Sequence, residues 1–172
     1  VEWLTGELGD IELPETLAAP ARAPFSLHAM VPQRASAEDL EAVLGLVRDV
    51  YWNAGRYDDA TLAATHRNAV AWVIARATAE APAGIDEGEV VATARATGDR
   101  HKFAYVGDVV VHPALRGAGL GKALVALLLD HPGLRDTRQL RLATRDAQTF
   151  YRPFGFVPTE ELELLPQMVY RR

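Results

Sequence analysis

The sequence predicts an α/β fold in which helices flank a mixed central β-sheet. Apolar residues at helical spacing alternate with short β-branched runs, in the order β-α-α-β-β-β-α-β-α-β-β. A hydrophobic content of 49% and a charged content of 24% are typical of globular domains, and 172 residues can bury a sizeable core. We expect a single domain over 25–172, preceded by an N-terminal extension over 1–24 that has three prolines and no clear periodicity.

The first half of the chain predicts one strand and then two helices. Phe25–Met30 is the strand, and Ser36 is the expected N-cap of the first helix. That helix should run to about Trp52, because apolar residues recur at helical spacing. These residues are Leu40, Val43, Leu44, Val47 and Val50. A shorter helix is expected over 58–68.

The second half predicts the remaining strands around one long helix. Strands are expected at 70–77, at 90–96 and at Phe103–Val111, and the helix at 119–130. A short strand at 140–144, a short helix at 146–152 and an extended pair from Phe156 onward complete the predicted order.

The segment 108–122 combines a buried strand, a glycine-rich turn and a helix start. A β-branched run, Val109, Val110 and Val111, is followed by a loop with three glycines in five positions. The loop residues are Arg116, Gly117, Ala118, Gly119, Leu120, Gly121 and Lys122. Glycines let the backbone approach a ligand closely, and the first turn of a helix adds unpaired N–H groups and a partial positive charge. The segment therefore predicts a phosphate or pyrophosphate site.

The spacing of this loop excludes two common phosphate-binding motifs. A Walker A loop needs four residues between its first glycine and Gly-Lys, whereas only three separate Gly117 from Gly121, and Ala123 stands where Ser or Thr is required. A dinucleotide fingerprint needs G-x-G-x-x-G, and Lys122 occupies the place of its last glycine.

The loop instead resembles the R/Q-x-x-G-x-G/A signature of the GCN5-related N-acetyltransferase (GNAT) family, as Arg116-x-x-Gly119-x-Gly121. The preceding valine strand and the aromatic cluster FYRPFGF at 150–156 resemble the same family, over roughly residues 40–157. The resemblance implies the acyl-CoA N-acyltransferase fold. It also implies a transferase that moves an acetyl group from acetyl-CoA to a primary amine of a small molecule or peptide.

The resemblance also implies roles for individual residues. The backbones of Val109, Val110 and Val111 would bind the pantetheine arm of acetyl-CoA. The loop from Arg116 to Lys122 would bind its pyrophosphate. Tyr151, at the start of the aromatic cluster, would be the general acid that protonates the departing thiolate. Many relatives place an Asn before this Tyr, and here Thr144 or Asp146 would substitute for it.

A general base and an acceptor site are predicted less directly. Asp108 is the only carboxylate in its strand, and burial should raise its pKa, which would suit a base. The alternative is a buried Asp that caps backbone N–H groups. Tyr51, Trp52 and Arg56 follow the first helix, where this family's acceptor site usually lies, and Arg56 could pair with an acceptor carboxylate. Packing at a helix C-terminus is the alternative for these three residues.

Charge and composition limit the partners. The net charge of −5 argues against nucleic acid. Seven basic against three acidic residues give 110–154 a charge of +4 and leave −9 for the rest, which suits a polyanionic cofactor. The absence of cysteine excludes disulfides and a cysteine nucleophile, so direct transfer is expected. The histidines show no metal-ligand spacing, and we expect no metal.

Several questions stay open at the level of sequence. The start of the chain has no secretory pattern and no apolar run is long enough to cross a bilayer, so we expect a cytoplasmic protein without membrane association. The alternative to an enzyme is a non-catalytic acyl-CoA-binding or regulatory module. The sequence does not identify the acceptor amine, and it leaves open an acyl chain longer than acetyl. It also does not fix the oligomeric state, for which a homodimer is possible.

Overall fold

The computed structural model describes residues 2–3 and 24–162. The chain divides into two compact units, Val1–Arg141 and Leu142–Arg172, and the first contains the whole sheet. Along the described residues, no helix is both long and apolar enough to span a membrane.

Within residues 2–3 and 24–162 the sheet has six strands, and their spatial order follows their order in the chain. They are β1 (Glu2–Trp3), β2 (Phe25–Met30), β3 (Ala71–Ala77), β4 (Val90–Gly98), β5 (Phe103–Val111) and β6 (Gln139–Arg141). β2 to β5 pair antiparallel, whereas β1 pairs parallel with β2, and β6 pairs parallel with β5. The sheet is therefore mixed, as the sequence predicts.

Three helices pack on this sheet: α1 (Ala37–Val47), α2 (Asp59–Arg67) and α3 (Leu120–Asp130). The Ser36 hydroxyl accepts a hydrogen bond from Asp39 N and caps α1, and the Asp58 carboxylate caps α2 in the same way. The prediction that the first helix reaches Trp52 is wrong, because the chain leaves the helix after Val47. The amides of Asn53 and Ala54 both donate to Val50 O, which closes a turn instead.

The core lies on both faces of the sheet. Residues 71–75 of β3 are all buried, as expected for a strand that is covered on both faces. Trp72 and Ile74 belong to a buried cluster with the apolar residues of α1 and with Leu62 of α2. Most of the side chains of α3 are buried, and this helix packs on β2 to β5. The apolar faces of the strands and helices, which the sequence pattern predicts, thus form the core that stabilises the fold.

The second unit begins after β6 and is described to residue 162. It contains the short helix α4 (Gln148–Tyr151), which continues as a 3-10 turn at Arg152–Phe154. β6 is shorter than the predicted strand at 140–144. In the described part after Phe156 the chain forms a 3-10 turn at Thr159–Glu161 rather than an extended strand, and the rest of the predicted C-terminal pair lies outside the described residues. Most of the predicted extension 1–24 lies outside them too.

Candidate active site

A glycine loop connects β5 to α3. After β5 ends at Val111, the chain forms a 3-10 turn at Pro113–Leu115 and then passes through Gly117 and Gly119, with φ of 81° and 82°. Only glycine adopts this left-handed conformation without strain. A Cβ at either glycine would meet no heavy atom within 4 Å, so the space in front of the loop backbone is open. The loop can therefore receive a ligand against its backbone.

The first turn of α3 presents backbone donors to this open space. Gly119 is the N-cap and supplies no side-chain acceptor, and the first intrahelical bond runs from Ala123 N to Gly119 O. The amides of Leu120, Gly121 and Lys122 come before that bond, so they have no carbonyl partner within the helix. Such amides, with the positive end of the helix dipole, are favourable to an anion, and the predicted phosphate site at this loop stays a prediction.

Side chains around the loop hold it and add charge. Leu115 and Leu120 are buried and fix its two ends, while Ala118 and Lys122 are exposed. Arg116 Nε donates to Val111 O at 3.3 Å, which ties the loop to the end of β5. Arg116 and Lys122 are both exposed and add positive charge to the loop and the first turn of α3.

β5 carries an irregularity next to this loop. Thr93 pairs with Val110 and Arg95 with Gly107, so Asp108 and Val109 together lie opposite one residue of β4. Asp108 has a φ of 50°, an uncommon conformation for a residue other than glycine. This is a β-bulge, a feature that often re-aims a strand beside a functional site.

The last residues of β5 have one edge that β6 does not cover. β6 pairs with Phe103, Ala104 and Tyr105 and goes no further, whereas Val110 and Val111 pair with β4 on the opposite edge. The backbone of Val109–Val111 could therefore accept an extended group along the edge that β6 leaves. The family resemblance predicts that the pantetheine arm binds here, and this role stays a prediction.

Asp108 is the centre of a buried polar network. Its Oδ2 accepts a hydrogen bond from Arg95 Nε at 2.7 Å, and its Oδ1 accepts from Trp52 Nε1 at 2.9 Å and from Asn53 Nδ2 at 3.1 Å. The residue is 5% exposed. The donors come from β4 and from the segment between α1 and α2, so one carboxylate joins three parts of the chain.

The expectation that burial raises the pKa of Asp108 is wrong. Burial does push the pKa upward, but the charge of Arg95 and the hydrogen bonds from Trp52, Asn53 and Arg95 outweigh it and lower the pKa. The alternative expectation, a carboxylate that caps backbone N–H groups, is also not what the structure has, because the donors are side chains. An ionised carboxylate with both oxygens engaged is a poor proton acceptor.

The segment 48–58 divides into inward and outward residues. We call it the acceptor loop, because the family resemblance predicts the acceptor site here. Trp52 and Asn53 donate to Asp108, whereas Tyr51 is 49% exposed, Tyr57 is 54% exposed and Arg56 is exposed. The Tyr51 ring meets the Trp52 ring edge-on at 4.8 Å. The loop therefore has an aromatic and cationic outer surface on a buried polar base.

Sequence reasoning missed Arg95, Asn53 and Tyr57. Arg95 had a detectable signal, because it is the single charge of its strand, and Asp108 is the single charge of the strand that follows. Charges of opposite sign in two consecutive strands indicate a pair across a hairpin.

The second unit holds the other predicted site residues. The Tyr151 ring meets those of Phe150 and Phe156 edge-on, at 4.9 and 5.8 Å. Thr144 Oγ1 accepts from Ala147 N at 3.0 Å and stabilises the turn before α4, and Asp146 pairs with Arg145 at 3.3 Å. Their roles toward a cofactor remain predictions. Among the described residues, no group of three His, Asp or Glu side chains is arranged to hold a metal ion.

Solved acetyltransferase structures share this fold. A putative GNAT-family acetyltransferase from Xanthomonas campestris pv. campestris superposes with a TM-score of 0.62 at 28% identity, over 84% of this chain and 94% of that one. AAC(6')-Iy, solved in complex with the bisubstrate analog CoA-S-monomethyl-acetylneamine, gives a TM-score of 0.58 at 20% identity, over 86% and 97% of the two chains. N-acetylglutamate synthase from Neisseria gonorrhoeae, complexed with coenzyme A and L-arginine, gives 0.59 at 17% identity, over 84% and 30%. At these last two identities the likeness concerns the fold.

Sequence comparison points to the same family. GCN5-related N-acetyltransferase 1, chloroplastic, from Arabidopsis thaliana is 41% identical over 68 residues, which cover 39% of this chain and 34% of that protein. The chain thus spans about a third of the length of this curated relative. The family model described as the acetyltransferase (GNAT) family matches residues 41–156, from α1 through the glycine loop to the aromatic cluster. With more than half of its length in that match, the chain belongs to the acetyltransferase (GNAT) family.

Proposed function

We propose that this protein is an acetyl-CoA-dependent N-acetyltransferase that moves the acetyl group directly to a primary amine of a small molecule or peptide. The observation that carries the proposal is the open glycine loop, with three amides at the start of α3 that have no carbonyl partner within the helix, and an edge of β5 that β6 does not pair. Membership of the GNAT family and two structural neighbours whose complexes contain coenzyme A or a CoA-derived analog support it.

Each part of acetyl-CoA has a proposed partner in the chain. The amides of the α3 first turn hold the pyrophosphate, and Lys122 and Arg116 add charge. The backbone of Val109–Val111 binds the pantetheine arm as an added strand would be bound. Thr144 and Asp146 are proposed to contact the same arm.

The chemistry needs no covalent enzyme intermediate. The amine nitrogen forms a bond to the thioester carbon, the carbon–sulfur bond breaks, and the CoA thiolate takes a proton from the Tyr151 hydroxyl. We keep Tyr151 as the acid on the strength of the sequence resemblance. The proton lost by the amine passes to solvent in this proposal, because the Asp108 oxygens are occupied by three donors.

The outer surface of the acceptor loop suggests a class of acceptor. Tyr51 and Tyr57 offer exposed aromatic rings, and Arg56 an exposed guanidinium that can pair with an anion through two hydrogen bonds. We therefore propose an amine that also carries a carboxylate and an apolar part, as amino acids and peptides do.

The test is a screen of amines with acetyl-CoA that follows release of free thiol. Amino acids and short peptides should give thiol release together with an acetylated product detectable by mass spectrometry, while the matching decarboxylated amines should react more slowly. Binding of acetyl-CoA without thiol release from any amine would contradict the enzyme and favour a non-catalytic acyl-CoA-binding module. Equal rates for acids and decarboxylated amines would contradict the role of Arg56.

A further inference from the structure

We propose that Asp108 is a positioning residue that anchors the acceptor loop to the bulge of β5 and so sets the acceptor site against the cofactor strand. The assignment of the loop to the acceptor rests on the function proposed above, whereas the anchoring itself rests on the contacts of Asp108.

The contacts connect the middle of the loop to a single carboxylate. Trp52 and Asn53 are neighbours in the chain, and both donate to Asp108 Oδ1, at 2.9 and 3.1 Å. Asn53 Nδ2 also donates to Val47 O at 3.0 Å, so the same amide group bridges the end of α1 and the bulge. The acceptor loop is thereby fixed at its centre as well as at its two helical ends.

Arg95 provides the positive charge that stabilises the buried Asp108 carboxylate. A carboxylate that is 5% exposed needs a counter-charge, and the Arg95 guanidinium supplies it from the neighbouring strand at 2.7 Å. Hydrogen bonds to an ionised acceptor are shorter and stronger than those between neutral groups. Arg95 therefore keeps Asp108 in the form that binds Trp52 and Asn53 best.

The β-bulge determines the position of the Asp108 side chain. The unusual φ of 50° belongs to Asp108 itself, and the next residue begins the Val109–Val111 segment proposed to bind pantetheine. A conformation of this kind persists only where the surroundings over-determine it, and three donors on one carboxylate do so here. The loop that carries Tyr51, Arg56 and Tyr57 is thus tied, through Trp52 and Asn53, to the strand proposed to bind the pantetheine arm.

The experiment uses a matched pair of variants of the full chain. Trp52→Phe keeps an aromatic ring and removes the indole N–H that Asp108 accepts. Trp72→Phe removes an equivalent indole N–H from the sheet, where Trp72 Nε1 donates to Thr93 Oγ1 at 2.9 Å. Each substitution removes one indole hydrogen bond, but Asp108 loses a donor only in Trp52→Phe.

Hydrogen exchange tests the anchor without any knowledge of the acceptor. The amides of Asn53, Ala54 and Arg56 are hydrogen-bonded within the loop turn. In Trp52→Phe we expect them to exchange at least about tenfold faster, while the amides of β5 stay protected. In Trp72→Phe the loop amides should exchange as in the wild type. Unchanged exchange in Trp52→Phe, or equal acceleration in both variants, would overturn the proposal.

Kinetics with an acceptor from the screen tests the consequence for specificity. Trp52→Phe should raise the KM for the amine about tenfold and leave the KM for acetyl-CoA within twofold. Trp72→Phe should change neither KM. A parallel rise of both KM values would overturn the link to the acceptor. If no amine reacts, the function proposed above fails, and the exchange result still decides whether Asp108 anchors the loop.

Discussion

His66 lies fully buried on α2, and its ring meets that of Trp72 on β3 at 5.3 Å. Its Nδ1 is 2.9 Å from Leu62 O, and its Nε2 has no hydrogen-bond partner among the described residues. Burial is the main cause that lowers its pKa, and burial also lowers the pKa of His131, which lies 3.2 Å from Met30 O. Both imidazoles are therefore neutral in the folded protein at pH values where an unfolded chain begins to bind protons.

The sign of the effect on stability follows from proton binding. Below about pH 6.5 the unfolded chain protonates these histidines and the folded chain does not, so the free energy of unfolding falls as pH falls. Each such histidine removes about 1.4 kcal/mol per pH unit in this window, until its lowered folded pKa is reached. Above that window neither histidine contributes.

His66→Phe should make the stability less dependent on pH. The ring contact with Trp72 is kept and the titratable nitrogen is lost, so the slope of the unfolding free energy between pH 5 and 6.5 should fall by up to one proton. Urea denaturation at several pH values measures this slope. His101→Phe, at an exposed position, is the control and should leave it unchanged. An unaltered slope in His66→Phe would mean that this histidine titrates alike in both states.

Tyr151→Phe tests the general acid. The phenol oxygen is lost and the aromatic ring is kept, so acetyl-CoA binding should persist while kcat falls by roughly 10²–10⁴. The alkaline limb of the pH–rate profile should disappear as well, because phenylalanine has no proton to lose. Phe150→Leu, which alters the ring next to Tyr151 but no hydroxyl, is the control for packing. A kcat within a few-fold of the wild type would assign Tyr151 to packing alone.

Sequence reasoning at the scale of single residues located Asp108 but misjudged its electrostatics. Burial can be read from the valines around it, and burial alone would raise its pKa. The compensating donors lie 13 to 56 positions away in the chain, at Arg95, Asn53 and Trp52. The pairing of β4 with β5 brings Arg95 to Asp108, and the opposite charges of these two strands are a signal of it. No local pattern records the path of the acceptor loop, which brings Trp52 and Asn53 there.

At the scale of elements, the strand and helix cores were predictable and the ends of elements were less so. Phe103–Val111 and the helix after Gly119 follow directly from β-branched runs and helical periodicity. The first helix was overextended because Val50 and Trp52 continue its apolar spacing. They are partly buried against the same cluster, yet they reach it from turns. The spacing of apolar residues indicates which residues are buried, not which of them are helical. Turn residues that pack against the core can therefore continue the apolar spacing of a helix.

The loop between β5 and α3 gives a prediction at this scale. Gly119→Glu places a carboxylate where the pyrophosphate is proposed to bind. Acetyl-CoA at one hundred times its Kd should stabilise the wild type by about 2.7 kcal/mol and should not stabilise the variant. Thermal denaturation with and without acetyl-CoA measures the difference, at roughly 2–4 °C per kcal/mol.

The control must carry the same backbone strain. Gly84 has a φ of 92° and, like Gly119, open space at its Cβ position, but it lies in the loop before β4. Gly84→Glu therefore repeats the charge change and the unfavourable conformation away from the site. A full acetyl-CoA shift in Gly119→Glu would remove the cofactor assignment, as would a lost shift in Gly84→Glu.

At the scale of the whole molecule, charge is distributed unevenly along the chain. The total is −5, but residues 110–154, which include the glycine loop and α3, carry +4. An acidic protein with a basic segment attracts a polyanion to one region and repels it elsewhere, and salt screens both effects. Acetyl-CoA carries several phosphate charges, so its affinity should depend on ionic strength.

We expect the Kd of acetyl-CoA to rise about three- to tenfold between 50 and 500 mM NaCl, where the screening length shortens by a factor of about three. The chain has two lysines, and they form a matched pair: Lys122 is exposed in the first turn of α3, and Lys102 is exposed in the turn between β4 and β5. Lys122→Gln should weaken binding at low salt and flatten the dependence, whereas Lys102→Gln should leave both unchanged. Isothermal titration at several salt concentrations measures these slopes, with pantetheine as a ligand that lacks phosphates. Equal slopes for both variants would place the phosphate contacts away from α3, and a salt-dependent affinity for pantetheine would show that the salt effect does not come from the phosphates.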